Sequence, residues 1–259
     1  MSANPPLPAW RDSVVWVIGG STGIGAGTAR ALLAAGARVA VSARNAEALA
    51  QVIAGSDSTS ALALPLDFTV RAEVADAWRA IAAAWGRIDL VLIVAGTHRE
   101  MRAWNLDEAA ALDLLKTNLH GVISACSAIV PRLLDQRCGA IGIVASVAGY
   151  RGLPKALVYG ASKAAVINFT ESLYLDLEPK DIGVYLISPG FVATPLTATN
   201  DFQMPALISA EQAADEILRG LRRGRFEIDF PKRFTRVMKL LQILPYSWYF
   251  AIVRKVTGA

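Results

Sequence analysis

Cysteine and histidine are scarce in this chain, with two of each among 259 residues. If Cys126 and Cys138 share the helix inferred below, they lie about 18 Å apart along its axis, whereas a disulfide needs Cα atoms within about 7 Å. They read as free thiols in a reducing, cytoplasmic compartment. Neither has a histidine or another cysteine in ligand spacing, so no metal site is expected. Long hydrophobic runs are missing too: no stretch reaches about eighteen apolar residues, which argues against a membrane-crossing helix. The opening MSANPPLPAW lacks the apolar core of a secretory signal. No repeat and no low-complexity linker divides the sequence. Charged residues make up only 19% against 54% hydrophobic, the balance of a large buried core and not of disorder. The net charge of +4 comes mostly from basic residues around RRGRF and PKRFTR. No nucleic-acid motif accompanies them, so no nucleic-acid partner is expected.

What the sequence does contain is alternation. SVVWVIGG, ARVAVSAR, STSALALPLDFT, IDLVLIVAG, GAIGIVASVAG and IGVYLISPG read as six strands, most of them short apolar or β-branched runs closed by turn residues. Between them lie helical patterns: GIGAGTARALLAAG, NAEALAQVIA, RAEVADAWRAIAAAWG, a long one from about 107 to 135, and one from about 156 ended by Pro179. A late helix, SAEQAADEILRGLRRG, starts with Ser209 as a candidate N-cap. Strands alternating with helices of this length require parallel crossovers. The expected fold is therefore α/β: residues 1–259 as a single domain with a doubly wound parallel sheet and helices on both faces. Ligands of such a sheet bind at the carboxyl ends of its strands.

Three stretches at those ends carry chemistry. GGSTGIG places Gly19, Gly23 and Gly25 between the first strand and the first helix. Glycines there let backbone N–H groups approach a pyrophosphate, which the positive end of the helix also attracts. The second strand ends in Ala43 and Arg44 where an acidic residue would select NAD. A carboxylate repels a 2′-phosphate and an arginine can bind one bidentately, so NADP(H) is favoured over NAD(H). Third, YGASK sets Tyr159 one helical turn before Lys163. A phenol with an ordinary pKa of about 10 becomes a better acid when an ammonium stands nearby.

Together with LDFT, VAG, TNLHG, ASVAG and SPGFVATP in this order, these motifs resemble the short-chain dehydrogenase/reductase family from Val14 to about Gly220. The resemblance implies a Rossmann-like fold and an oxidoreductase acting on a carbonyl or secondary alcohol. It implies a catalytic set of Asn118, Ser146, Tyr159 and Lys163, with Tyr159 as proton donor, Ser146 polarising the substrate oxygen, Lys163 on the nicotinamide ribose, and Asn118 holding a relay water. It implies cofactor contacts from Gly19, Ser21, Thr22, Gly23, Ile24, Gly25 and Arg44 at the phosphates, and from Asp67 and Phe68 near the adenine. Ala95 and Gly96 come from the fourth strand, Tyr159 and Lys163 from YGASK, and Pro189, Gly190, Val192 and Thr194 from SPGFVATP. A homo-dimer or homo-tetramer is expected through the two long helices, with Gly160, Ala161, Ala164 and Ala165 allowing close approach. The alternative from another class is a non-catalytic dinucleotide-binding regulator, which has no need of the Ser-Tyr-Lys set.

Two features depart from the family pattern. Ile18 stands where the glycine turn usually has threonine, and Ile93 and Val94 replace a usual Asn-Asn pair. An apolar contact between neighbouring strands is expected in place of a polar tie. The candidate substrate wall draws on His98, Ser146, Tyr150, Leu153 and Phe191, with further residues from LTATNDFQMPALIS. Its apolar character suits a lipophilic ketone or alcohol. Residues 230–259 form an amphipathic extension in which Phe234, Val237, Met238, Leu241 and Leu244 recur at helical spacing. Pro245 and an aromatic cluster follow. This segment either packs on its own fold or a partner subunit, or makes peripheral membrane contact through 230–255.

Overall fold

The computed structural model describes residues 3–198 and 204–258. One sheet of seven parallel strands runs through it in the order β3-β2-β1-β4-β5-β6-β7. The strands are β1 (Val14–Ile18), β2 (Arg38–Ser42), β3 (Ala61–Ala63), β4 (Leu90–Ile93), β5 (Ala140–Val144), β6 (Gly183–Pro189) and β7 (Glu227–Phe230). Every residue of β1, β4, β5 and β6 is buried. That explains their near-continuous apolar sequence, since a parallel sheet is covered on both faces. Six of the seven strands match the expected ones. The seventh, EIDF, escaped notice because Glu227 and Asp229 look solvated in sequence. In the fold Asp229 is only 5% exposed, held by Lys232 at 2.6 Å, Lys239 at 3.1 Å and the Thr235 hydroxyl.

Helices α1 (Gly23–Ala34), α2 (Ala46–Val52) and α7 (Ala210–Arg222) cover one face, packing on Val15, Val17, Val39 and Ile187. The Ser209 hydroxyl accepts from the Gln212 N–H and Gln212 answers the Ser209 N–H, a capping box that fixes the start of α7. On the other face lie α3 (Arg71–Trp85), α4 (Glu108–Leu115), α5 (Gly121–Gln136) and α6 (Leu157–Leu177). The long helix expected from 107 to 135 is thus α4 and α5 joined by a π turn, Lys116–His120. Cys126 is buried on α5, whereas Cys138 lies beyond its end and is exposed; both are free.

The strand order reverses between β1 and β4, the point where a doubly wound sheet opens a ligand crevice. Ile18 pairs with Ile93 there, and each is 1% exposed. The expected apolar contact is thus present. The N–H groups of Val94 and Ala95 both donate to the Ile18 carbonyl, at 2.8 and 3.1 Å.

The C-terminal segment forms α8 (Lys232–Gln242) and α9 (Tyr246–Thr257), a helical pair broken at Pro245. One side packs on the chain itself: Thr235, Met238, Tyr249 and Val253 are buried. Arg151, on the loop after β5, ties the pair down. Its Nη1 donates to the carbonyls of Leu241, Gln242 and Leu244, between 2.7 and 3.1 Å. Its guanidinium also lies over the rings of Tyr246 and Tyr249, at 4.6 and 4.2 Å. The Tyr249 hydroxyl donates to the Gly152 carbonyl at 2.5 Å.

An asparagine at position 93 would bury an amide against Ile18 with no polar side chain opposite. Ile93→Asn is expected to lower stability by about 3 kcal/mol and the melting temperature by roughly 6–12 °C. Thermal unfolding followed by circular dichroism checks this; an unchanged or raised Tm contradicts it.

Candidate active site

The turn from β1 into α1 is shaped by missing side chains. A Cβ on Gly25 would stand 2.1 Å from the Gly19 carbonyl oxygen, and one on Gly19, whose φ is +86°, 2.4 Å from the Ala95 nitrogen. Only glycine fits at either place. The N–H groups of Gly19 and Gly20 both bond the Ser42 carbonyl, so the turn is also fixed to the end of β2. The first N–H groups of α1 have no partner within the helix, and Thr22, its N-cap, supplies no side-chain bond. They face a cavity of about 920 Å³, within the range that holds a cofactor-sized ligand.

All of the expected cofactor residues line that cavity: Gly19, Ser21, Thr22, Gly23, Ile24 and Gly25 at the turn, then Arg44, Asp67 and Phe68 at one end, then Ala95 and Gly96. Tyr159, Lys163, Pro189, Gly190, Val192 and Thr194 complete them. Arg44 is exposed just past β2. Burial pushes the Asp67 carboxyl up, but hydrogen bonds from Thr69 and the charges of Arg44 and Lys116 outweigh it, and its pKa is lowered. Thr197, which sequence reasoning missed, also lines the wall. Its hydroxyl donates to the Val192 carbonyl at 2.6 Å and accepts from the Thr194 N–H at 3.1 Å, fixing the SPGFVATP loop.

At the other end the expected catalytic residues converge. Ser146 ends the segment after β5, and its hydroxyl accepts from the Ala148 N–H at 3.1 Å while hydrogen-bonding Tyr159. Lys163 is 4% exposed; its Nζ donates to the Val144 carbonyl at 3.0 Å and lies 5.9 Å from the Tyr159 ring centroid. Asn118 sits in the π turn, fully buried, clamping Thr97 from both sides: Oδ1 accepts from its N–H at 2.7 Å and Nδ2 donates to its carbonyl at 2.8 Å. Single π turns inside helices often mark functional sites because they redirect one side chain. Nδ2 also donates to the Ser162 hydroxyl at 3.2 Å, which in turn donates to the Tyr159 carbonyl at 2.7 Å. Ser162 lies inside YGASK and was the signal available for this link. Asn118 itself does not line the cavity.

The electrostatics differ from the simple expectation. Burial raises the Tyr159 phenol, against a lowering bond from Ser146. Burial also lowers Lys163 to about 8. Desolvation therefore outweighs the help that a neighbouring ammonium gives the phenolate. His98 lines the cavity with its ring edge-on to Tyr159, centroids 4.8 Å apart, and burial lowers its pKa.

Of the other expected substrate-wall residues, three do not line the cavity. The Tyr150 hydroxyl bonds Glu227, because that carboxylate on β7 is the acceptor within reach. Phe191 turns outward onto Phe234 of α8, ring centroids 5.4 Å apart. Leu153 lies on the same loop as Arg151, which is drawn to the C-terminal helices. Residues 199–203 of LTATNDFQMPALIS lie outside the described residues.

Comparison with known proteins places the chain. The short chain dehydrogenase family model matches residues 13–204. An uncharacterized oxidoreductase of Myxococcus xanthus is 34% identical over 245 residues, covering 93% of this chain and 96% of that protein. The 3-oxoacyl-[acyl-carrier-protein] reductase of Bos taurus is 34% identical over 186 residues, 72% of this chain and 78% of its own length. Among solved structures, a variant of actinorhodin polyketide ketoreductase with NADPH superposes with a TM-score of 0.75 at 25% identity, covering 85% of this chain and 96% of that one. The chain belongs to the short-chain dehydrogenase/reductase family. It is an oxidoreductase of small molecules on a Rossmann-like fold that binds NAD(P).

The buried lysine makes stability depend on pH. Its folded pKa, about 8, lies below the ordinary 10.5, so between those values the unfolded chain binds more protons and stability rises with pH. The difference is worth up to about 3 kcal/mol. In the ligand-free enzyme, the unfolding free energy of wild type relative to Lys163→Met is expected to climb by that amount between about pH 8 and pH 10.5. Denaturant titrations at a series of pH values measure it; a difference flat in pH overturns the assignment.

Proposed function

We propose that this enzyme transfers a hydride between NADP(H) and the carbonyl or secondary-alcohol carbon of an apolar small molecule in a reducing, cytoplasmic compartment. Tyr159 acts as general acid in reduction and general base in oxidation. The observation that carries the reading is a convergence at Gly96: Asn118 Oδ1 and Lys163 Nζ both stand 3.4 Å from the point where its side chain would begin. Ser146 and Tyr159 lie on the same wall.

The residues present fit the cofactor. The glycine-lined turn offers N–H groups where a pyrophosphate would lie, Asp67 and Phe68 would flank the adenine, and Val192 and Thr194 would hold the carboxamide. Ala95, Pro189 and Gly190 shape the wall between them. When bound, the cofactor supplies the hydride. The phenol raised by burial keeps its proton near neutrality and is ready to give it to a substrate oxygen that the Ser146 hydroxyl holds and polarises. Lys163, lowered to about 8, anchors the ribose and can return a proton to the phenol, with Asn118 fixing the backbone beside it. His98 narrows the substrate side against Tyr159. The names of two relatives, a 3-oxoacyl-[acyl-carrier-protein] reductase and a polyketide ketoreductase, support reduction of a ketone.

The preference for NADP rests on Arg44, whose charge reaches Asp67 across the adenosine end with Ala43 in the place of an acid. Assembly as a homo-dimer or homo-tetramer would use the outer faces of α4–α5 and α6, where Leu112, Ile123 and Leu175 are 58%, 43% and 72% exposed. Ala161 and Ala164 are exposed there too, while Gly160 is buried against the Ala148 carbonyl of its own chain.

Two substitutions test the reading. Tyr159→Phe keeps the ring and removes the proton, so ketone reduction followed at the nicotinamide absorbance should fall by about 10²–10⁴-fold while NADPH binding persists; substantial residual turnover would falsify the general-acid role. Arg44→Ala is expected to weaken NADPH by about 1.5–3 kcal/mol and NADH far less. Titration of both cofactors decides it, and equal losses remove the 2′-phosphate contact.

A further inference from the structure

The packed side of α8–α9 leaves another side open. Val237 and Leu240 on α8, and Ile243 just past its end, are spaced three residues apart and are 53%, 60% and 78% exposed. On α9, Tyr246, Trp248 and Val256 are 70%, 66% and 78% exposed. Helices that only completed the core would bury such side chains, and contiguous exposed apolar surface marks an interaction site. The charges around it have one sign. Residues 230–259 contain no Asp or Glu and six Lys or Arg. Lys232 and Lys239 are paired with Asp229 and Glu227. Arg233, Arg236, Arg254 and Lys255 are exposed, and no carboxylate pairs with them among the described residues.

We propose that α8 and α9 dock this enzyme on an anionic lipid surface, the exposed apolar side chains entering the headgroup boundary and the four unpaired cations meeting the headgroups. Trp248 and Tyr246 have the amphipathic rings that settle at such a boundary. A second copy of the chain fits the same surface poorly. Isologous packing would set these cations against each other with no acidic side chain in the segment to answer them. Crossing the bilayer is excluded by length: the helices have 11 and 12 residues, against the 20 or so that a span requires. No helix among the described residues is long and apolar enough to cross.

The docking helices adjoin the catalytic end of the cavity. Arg151, which holds them, lies on the loop between Ser146 and Tyr159. Phe234 of α8 approaches Gly190, a cavity-lining residue, so closely that a Cβ there would stand 2.8 Å away. A substrate dissolved in the lipid would thus be presented beside the site. This purpose rests on the apolar-substrate reading; the docking itself does not.

The test is flotation of the full-length protein with phosphatidylcholine vesicles, with and without phosphatidylglycerol, at low and high salt. Binding is expected on the anionic vesicles at low salt, with loss at high salt as screening sets in. Each basic residue near such a surface contributes about fivefold in partitioning, so Arg233→Gln with Arg236→Gln should lower it about 25-fold. Ile243→Ser with Trp248→Ser should lower it as well, and since all four positions are exposed, unfolding transitions should stay unchanged. Absence of flotation at low salt, equal flotation on neutral vesicles, or indifference to the paired arginine substitutions overturns the proposal. So does sedimentation showing that Ile243→Ser with Trp248→Ser splits an oligomer, which would make the face a subunit contact. Turnover of a water-soluble ketone is measured alongside: an enzyme that floats but reduces nothing refutes the catalytic reading and leaves the docking standing.

Discussion

The cofactor end of this fold depends on a backbone passage too narrow for any side chain. Gly25 crosses directly over the Gly19 carbonyl, and Gly19 presses on the backbone of Ala95. These contacts bring the end of β1, the start of α1 and the end of β4 together. The unpaired N–H groups of α1 then have only the cavity to face. Beneath the passage, Ile18 and Ile93 close the two strands with an apolar contact, and the Ile18 carbonyl takes two N–H groups from the segment that carries Gly96. Loss of a polar side-chain tie at this level leaves the backbone ties in place, which is why the apolar pair is compatible with the same turn.

At the catalytic end the governing quantity is desolvation. Taking a phenol and an ammonium out of water favours the neutral form of each, so Tyr159 moves up while Lys163 moves down to about 8. The ordinary values of the two groups, 10.0 and 10.5, nearly coincide, whereas in the fold the phenol holds its proton more tightly than the ammonium does. Transfer of a proton from the Lys163 ammonium to a Tyr159 phenolate is therefore downhill. The Asn118 clamp on Thr97 and its link through Ser162 to Tyr159 keep this pair from relaxing toward solvent.

Much of this was legible in the sequence because the informative residues sit at the ends of strands, where turn chemistry and periodicity coincide. Gly19, Gly23, Gly25, Arg44, Ser146, Tyr159 and Lys163 all fall on the carboxyl edge of a strand or the helix after it, and all line one cavity. What was hidden depends on partners distant in sequence. β7 reads as a charged loop until Lys232, Lys239 and Thr235 are seen around Asp229. Tyr150 and Phe191 follow strands as substrate residues should, yet Glu227 and Phe234 draw them elsewhere. The π turn at Asn118 leaves no mark on the apolar periodicity of the helix that contains it.

Arg151 joins parts of the molecule that the sheet keeps apart. Its guanidinium closes the last carbonyls of α8 and carries two tyrosine rings of α9, while its backbone belongs to the loop that leads from Ser146 to Tyr159. Hydrogen bonds from one nitrogen to the carbonyls of Leu241, Gln242 and Leu244 hold that loop against the C-terminal helices. The position of the loop from Ser146 to Tyr159 is therefore set partly by the last thirty residues, outside the segment matched by the family model.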